Sequence, residues 1–197
     1  MIRNIKTTAR RFLADESGAF IVEFGIAFPV LILLSFGLLE FSLVVFDYQR
    51  AAEATRRGIR TTILSYTIPN TATLLEGSTI SCQMVTGAVQ CTGGSPSLYA
   101  LDQFNILLTE MREVYPTLTE SNVVVTYEGT NIGSPDEAGG ILPLVTLELV
   151  GVRHDMIVGH LIGIPFVEFP AFTTTVLGPG NAVNVAPPVK SGGGTKK

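Results

Sequence analysis

The chain has 197 residues, of which 46% are hydrophobic and 15% are charged, and its formal net charge at pH 7 is −4. This length suits one membrane segment and one modest domain. The negative balance leaves no large basic face, so we expect no nucleic-acid partner.

Residues 1–18 form a polar leader, which contains the basic residues Arg3, Lys6, Arg10 and Arg11. The positive-inside rule places such an end in the cytoplasm and sends the C-terminus across the membrane. Four arginines beyond the apolar run favour the opposite orientation: Arg50, Arg56, Arg57 and Arg60. We expect the N-terminus inside because the first segment usually dominates.

An apolar run from Gly18 to Phe46 is interrupted only by Glu23 and Glu40, and residues 24–39 carry no charge. A bilayer core requires about 20 mostly apolar helical residues. The run therefore predicts one membrane-spanning helix from Ala19 to Phe46, in contact with membrane lipid. Pro29 is compatible with this prediction because helices in lipid tolerate proline.

A cleaved secretory signal peptide is the alternative interpretation of this run. Its apolar region would be shorter and would end at a small-x-small site. The nearest such triplet, Ala52-Glu53-Ala54, lies beyond Asp47 and Arg50. The pattern therefore favours a retained span.

Helical character continues from Asp47 to Tyr66, which gives a predicted helix over 19–66 of about 70 Å. One apolar stripe holds Ala52, Ile59, Ile63 and Tyr66, and the opposite side holds Arg50, Glu53, Arg57 and Arg60, with Glu53 and Arg57 spaced as an i,i+4 ion pair. Gly58 is unfavourable inside a helix. The exposed stripe predicts a covering domain or neighbouring copies.

Two short strand-like runs flank Thr86-Gly87, which is a plausible two-residue hairpin turn. With that turn, Cys82 lies opposite Cys91 at a non-hydrogen-bonded position, close enough for a disulfide. Such a bond requires an oxidising compartment. Two reduced, buried cysteines remain the alternative, and a zinc site is disfavoured because the histidines lack ligand spacing.

Residues 67–178 predict a small antiparallel α+β domain that packs on the emerging half of the first helix. The helix spans 97–114, with Leu98, Leu101, Ile106, Leu108 and Met111 as candidate buried positions; 130–140 is a loop, 155–170 is helical or irregular, and the later strands are 123–127, 144–152 and 171–177. Residues 179–197, rich in Pro, Gly and Lys, predict a disordered tail.

Glu23 is a carboxylate near the start of the span, which makes it a functional candidate or a simple marker of the headgroup boundary. It stands four residues after Gly18-Ala19 and directly before Phe24, in the pattern G-AFIV-EF. This pattern resembles the processing site of tight-adherence (Flp) prepilins, where the sixth mature residue is often Tyr instead of Phe. Residues 10–66 as a whole are similar to the TadE-like family of minor pilins (pseudopilins).

The resemblance implies a non-enzymatic subunit of a bacterial pilus assembly system. It implies cleavage by a prepilin peptidase between Gly18 and Ala19, with Glu23 of a neighbouring subunit pairing with the new amino terminus. It also implies a single-pass inner-membrane protein with a periplasmic domain, whose partners are other pilins or pseudopilins and the pilus assembly platform. No cofactor or metal is implied.

Two other classes of function remain open from the sequence. One is a membrane-anchored periplasmic binding module that does not assemble into a pilus. The other is an anchored enzyme, suggested only by His154-Asp155 and His160, which lack metal-ligand or catalytic spacing. The glycines at 192–194 lack the strand and helix of a phosphate-binding loop. Glu40 is interpreted as an interfacial carboxylate or a partner of the arginines that follow.

Overall fold

The computed structural model describes residues 16–65, 67–134 and 140–178. The predicted leader up to residue 15, the predicted helix end at Tyr66 and the predicted tail 179–197 lie outside the described residues. Two compact units divide the chain. One, here the helix unit, holds the described residues up to Val45 together with Asp155–Val167; the other, here the sheet unit, holds Phe46–His154 and the described residues from Glu168 onward.

Helix α1 runs from Glu16 to Leu64 and contains Pro29. Within it, the Ser35 and Ser42 hydroxyls donate to the carbonyl oxygens of Leu31 and Leu38 at 2.8 and 2.9 Å. Both serine hydroxyls thus have a hydrogen-bond acceptor in the helix backbone, so neither requires water as its acceptor.

The first half of α1 exposes almost every apolar side chain. Only 11% of its most apolar 18-residue window is buried inside the protein. In the described part of the chain, α1 is the one helix that is long and apolar enough to cross a membrane. A helix in the core of a soluble protein would bury such a window. The exposed side chains include Phe20, Ile21, Leu31, Leu34, Leu38 and Phe41.

The sheet unit holds a five-stranded antiparallel sheet. Its strands are β1 (Thr79–Val85), β2 (Ala88–Thr92), β3 (Val123–Gly133), β4 (Ile141–Leu149) and β7 (Phe172–Leu177). They lie side by side in the order β2-β1-β3-β4-β7. Helix α2 spans Ala100–Arg112, and two 3-10 turns span Thr71–Thr73 and Glu120–Asn122. Two short strands, β5 (Arg153–Asp155) and β6 (Phe166–Glu168), pair separately and flank a third 3-10 turn, Gly159–Ile162.

Side chains of the central strands alternate between a buried and a half-exposed face, as expected for a sheet covered on one side. In β4 the pattern is complete from Ile141 to Leu149. The core contains Tyr127, Val125 and Leu147 from the sheet and Phe104 and Met111 from α2. The predicted α+β class is confirmed.

Gly58 lies where α1, α2 and β4 meet. A Cβ placed on it would lie 2.6 Å from Leu147 Cδ2 and 2.8 Å from Met111 Sδ. Glycine lowers helix stability at this position, but the close packing leaves no room for any larger residue. Around it α1 buries Ala51, Ala54, Thr55, Ile59 and Thr62.

The β1–β2 hairpin has the predicted register. Met84 pairs with Val89 and Cys82 with Cys91, and the two cysteines form a disulfide with a Cα–Cα distance of 4.1 Å. Thr86 and Gly87 both have positive φ, 51° and 76°, as a type I′ turn requires. The predicted disulfide is confirmed, and the alternative of reduced cysteines is wrong.

Several local predictions were wrong. Helix α2 is shorter than 97–114, and Leu98, Leu101 and Ile106 are exposed, whereas Leu108 and Met111 are buried as predicted. The helix places its buried residues three and four apart in a different phase: Ala100, Gln103, Phe104, Leu107, Leu108 and Met111.

Strand and loop boundaries also differ from the predictions. Strand β3 continues to Gly133, through part of the predicted loop 130–140, because β4 begins early enough to pair Gly133 with Ile141. The predicted strand 144–152 is shifted to Ile141–Leu149. Segment 155–170, predicted as helical or irregular, forms strand ends around one 3-10 turn, which agrees with the irregular alternative.

Candidate functional site

The four residues of the predicted processing site all lie in the first turns of α1, which begins at Glu16. Gly18, Glu23 and Phe24 are exposed, and nothing lies within 4 Å of a Cβ built on Gly18. The Phe24 ring stacks on Phe20 and Phe28 with centroid distances of 6.4 and 5.3 Å. This end of the helix therefore presents an aromatic stripe, and Gly18 lies open two residues before the first of these rings.

Gly18 is a poor helix former, so it lowers the cost of unwinding α1 locally at the Gly18–Ala19 bond. Among residues 16–65, 67–134 and 140–178, none pairs with the Glu23 carboxylate.

Glu40, in contrast, is buried and fully engaged. It is 6% exposed, and its carboxylate accepts hydrogen bonds from the backbone N–H groups of Ile157, Val158 and Gly159. The Val158 and Gly159 bonds are both 2.9 Å. Three converging N–H donors stabilise a carboxylate away from water. The sequence-based interpretation as an interfacial carboxylate or arginine partner missed this arrangement; the signal available was an acidic residue six residues before the end of an apolar run.

His154, the one histidine next to an aspartate in sequence, bonds to a different aspartate. Its Nδ1 lies 2.6 Å from Asp47 Oδ2, with both side chains largely buried. Both residues belong to the sheet unit, where the contact links the strand β5 segment to α1. His160 is exposed in the helix unit. Within the described ranges no group of three or more His, Cys, Asp or Glu could hold a metal ion.

The emerging half of α1 makes ionic contacts with α2. The Arg57 guanidinium donates to Glu110 Oε2 at 2.9 Å and also contacts Glu113. The hydrogen bond to Glu110 is the main cause that raises the pKa of Arg57 above its ordinary value. The predicted Glu53–Arg57 pair is therefore wrong: Arg57 binds across helices, and Glu53 lies 3.9 Å from Arg56 instead.

Arg50 makes a second contact between α1 and the rest of the sheet unit. Its Nε donates to the Val114 carbonyl oxygen at 2.9 Å, and its guanidinium lies 5.1 Å from the centre of the Phe46 ring. Nearby, the Tyr48 ring packs on Phe172 and Phe169 with centroid distances of 4.9 and 5.8 Å. α1 thus packs on the chain's own domain, but of the predicted apolar stripe only Ile59 is buried, whereas Ala52 and Ile63 are half-buried. Tyr66 lies outside the described residues.

The exposed apolar helix, the open Gly18 and the exposed Glu23 coincide with a family match. The model of the family described as TadE-like protein matches residues 18–60. Residues 18–60, here the TadE-like segment, are similar to this family. The match begins at Gly18 and confirms the resemblance inferred from the sequence. No curated protein and no solved structure matches the chain.

Proposed function

We propose that the chain is a non-enzymatic minor pilin (pseudopilin) that takes part in assembling or anchoring a bacterial tight-adherence (Flp-type) pilus. The observation that carries the proposal is the TadE-like segment, which begins at Gly18 and includes the exposed half of α1. A helix of this kind offers its apolar face both to lipid and to the helices of neighbouring subunits.

In this proposal the protein is a single-pass component of the inner membrane. The basic leader stays in the cytoplasm, and the sheet unit lies in the periplasm. The Cys82–Cys91 disulfide supports the periplasmic side, because disulfides persist in oxidising compartments.

The proposed maturation step is hydrolysis of the Gly18–Ala19 peptide bond by a prepilin peptidase. Water adds to the Gly18 carbonyl carbon, and the products are a Gly18 carboxylate on the leader and a free, protonated amino group on Ala19. The exposure of Gly18 supports access to this bond.

Glu23 of a neighbouring subunit would then pair with the Ala19 amino group. A charge in lipid is costly unless it is paired, so the two groups stabilise one another where helices pack side by side. The exposure of Glu23 supports this role. The assembly platform and other pilins are the proposed partners.

Replacing Glu23 tests the assembly role. We expect Glu23→Gln to insert normally and to be cleaved, but to reduce cross-linking to pilus subunits and to reduce piliation. Glu53→Gln is the matched control, because Glu53 is also an exposed carboxylate on α1. Normal piliation with Glu23→Gln would contradict the subunit contact. A chain that is never recovered with pilus components would favour the membrane-anchored binding module.

A further inference from the structure

The segment Met156–Pro165, here the apolar loop, carries large hydrophobic side chains on its surface. Ile157 is 83%, Leu161 75% and Ile162 70% exposed, and Ile164 is also exposed. This density of exposed aliphatic side chains is unusual for a loop in water. All of these residues belong to the helix unit, together with the exposed apolar half of α1.

The apolar loop is joined to the span itself. Glu40 of α1 accepts the N–H groups of Ile157, Val158 and Gly159. The α1 side chains around Glu40, including Leu38, Leu39 and Phe41, are more than half exposed. The surface of the loop is therefore continuous with the surface that the span presents to lipid.

The depth of the loop follows from the helix rise. Glu40 lies six residues before Phe46, where the apolar run ends, which corresponds to about 9 Å along the helix axis. Interfacial segments bury their apolar faces about 5–10 Å into the boundary between headgroups and acyl chains. With α1 across a bilayer, the apolar loop lies in that zone.

Most backbone N–H groups of the loop donate to acceptors within the protein. Lipid offers no hydrogen-bond partners, so non-helical backbone entering it must satisfy its own polar groups. Beyond the three N–H groups bound by Glu40, four more donate within the loop: Met156 to Pro165, Leu161 to Val158, Gly163 to His160 and Ile164 to Gly159. Pro165 has no N–H to satisfy.

We propose that the apolar loop is a second membrane-binding element, inserted into the lipid interface at the outer end of the span, with Glu40 as the acceptor that allows its backbone to enter. The exposed side chains of the apolar loop then contact lipid acyl chains. The loop fixes the rotation and depth of α1, because one face of the helix end is then bound to the interface at a defined level.

The proposal rests on α1 spanning a bilayer, and the experiment reports that separately. Full-length protein with its Cys82–Cys91 disulfide intact is placed in phosphatidylcholine nanodiscs, after variants that each carry one additional cysteine have been labelled at that free thiol with an environment-sensitive fluorophore. The three variants are Leu161→Cys in the loop, Leu31→Cys in the middle of the span and Leu98→Cys in the sheet unit. All three leucines are well exposed, so none of the changes removes core packing.

We expect the Leu161 label to emit at shorter wavelength than the Leu98 label and to be quenched by lipids with a shallow spin label. The Leu31 label should be quenched most by lipids with a deep spin label, and the Leu98 label by aqueous iodide. A Leu161 label quenched by iodide like the Leu98 label, with Leu31 still in lipid, would overturn the loop proposal alone. A Leu31 label outside lipid would overturn the span as well. A blue-shifted Leu161 label that lipid does not quench, and that reverts on dilution to one chain per disc, would identify a second copy as the occupant and contradict the proposal.

Discussion

Glu40 Oε2 accepts a hydrogen bond of 2.9 Å from the backbone N–H of Gly159, which lies 119 residues later in the chain. Gly159 is not replaceable on geometric grounds. A Cβ on Gly159 would lie 2.4 Å from the Ile164 carbonyl oxygen, so the close turn of the loop requires glycine. One carboxylate and one glycine thus hold the apolar loop against the span.

Removing the Glu40 carboxylate should loosen the apolar loop. Glu40→Ala leaves three N–H donors without their acceptor, at a cost of about 1–3 kcal/mol for each buried group. We expect hydrogen exchange at the backbone amides of Ile157, Val158 and Gly159 to accelerate about tenfold or more in detergent micelles. Glu40→Gln should have an intermediate effect because one acceptor oxygen remains. Unchanged exchange in Glu40→Ala, measured beside the control Glu53→Ala, would show that these bonds do not hold the loop.

Filling the contact at Gly58 should destabilise the sheet unit. Gly58→Leu places a large side chain against Leu147 and Met111, where even a Cβ is too close. Overpacking of this kind costs typically about 1–3 kcal/mol or more, beyond the gain of about 1 kcal/mol in helix propensity. We expect a lower thermal midpoint by circular dichroism. Arg56→Leu, on the exposed face of the same helix, should change the midpoint little; equal midpoints for both variants would contradict the packing.

Because Tyr127 is buried, we expect the folded protein to lose stability in alkaline solution. Burial raises the pKa of Tyr127 well above its ordinary value, although the Ile68 N–H near its hydroxyl acts in the opposite direction. The unfolded chain ionises this tyrosine near pH 10, so above that pH the folded state binds more protons and stability falls with rising pH. The stabilisation is complete below pH 10 and is lost as pH approaches the folded value.

The expected slope from this one tyrosine is about 1.4 kcal/mol per pH unit above pH 10. Urea unfolding of the full chain in micelles at pH 9 and pH 11 measures it. Tyr127→Phe should lose stability less steeply across this interval, whereas Tyr99→Phe should keep the full slope. If Tyr127→Phe has the same slope as the unmodified chain, the alkaline loss of stability does not come from Tyr127.

The hairpin and the long helix could be predicted because their signals are local. A two-residue turn fixes the pairing of every residue on either side of it, so Thr86-Gly87 alone places Cys82 opposite Cys91. The apolar run of α1 exceeds what a soluble helix would expose. The processing site, which rests on a short motif that begins at Gly18, stays a prediction.

The remaining features depend on contacts between distant segments. Leu98, Leu101 and Ile106 have the composition of a buried face, but the sheet determines which side of α2 is covered. Gly58 weakens the helix prediction until Leu147 and Met111 are known to pack on it. Similarly, nothing around residue 157 in the sequence indicates that its backbone N–H binds Glu40.

The central claim is that α1 is the membrane helix of a processed pilin-like subunit. Its most direct test is the N-terminal sequence and intact mass of the protein extracted from membranes of cells that contain a prepilin peptidase. Gly18→Leu should block cleavage, whereas Gly25→Leu, at an equally open glycine of α1, should not. The account predicts a mature chain that begins at Ala19 in the unmodified protein and in Gly25→Leu; an unmodified chain that still begins at Met1 would contradict it.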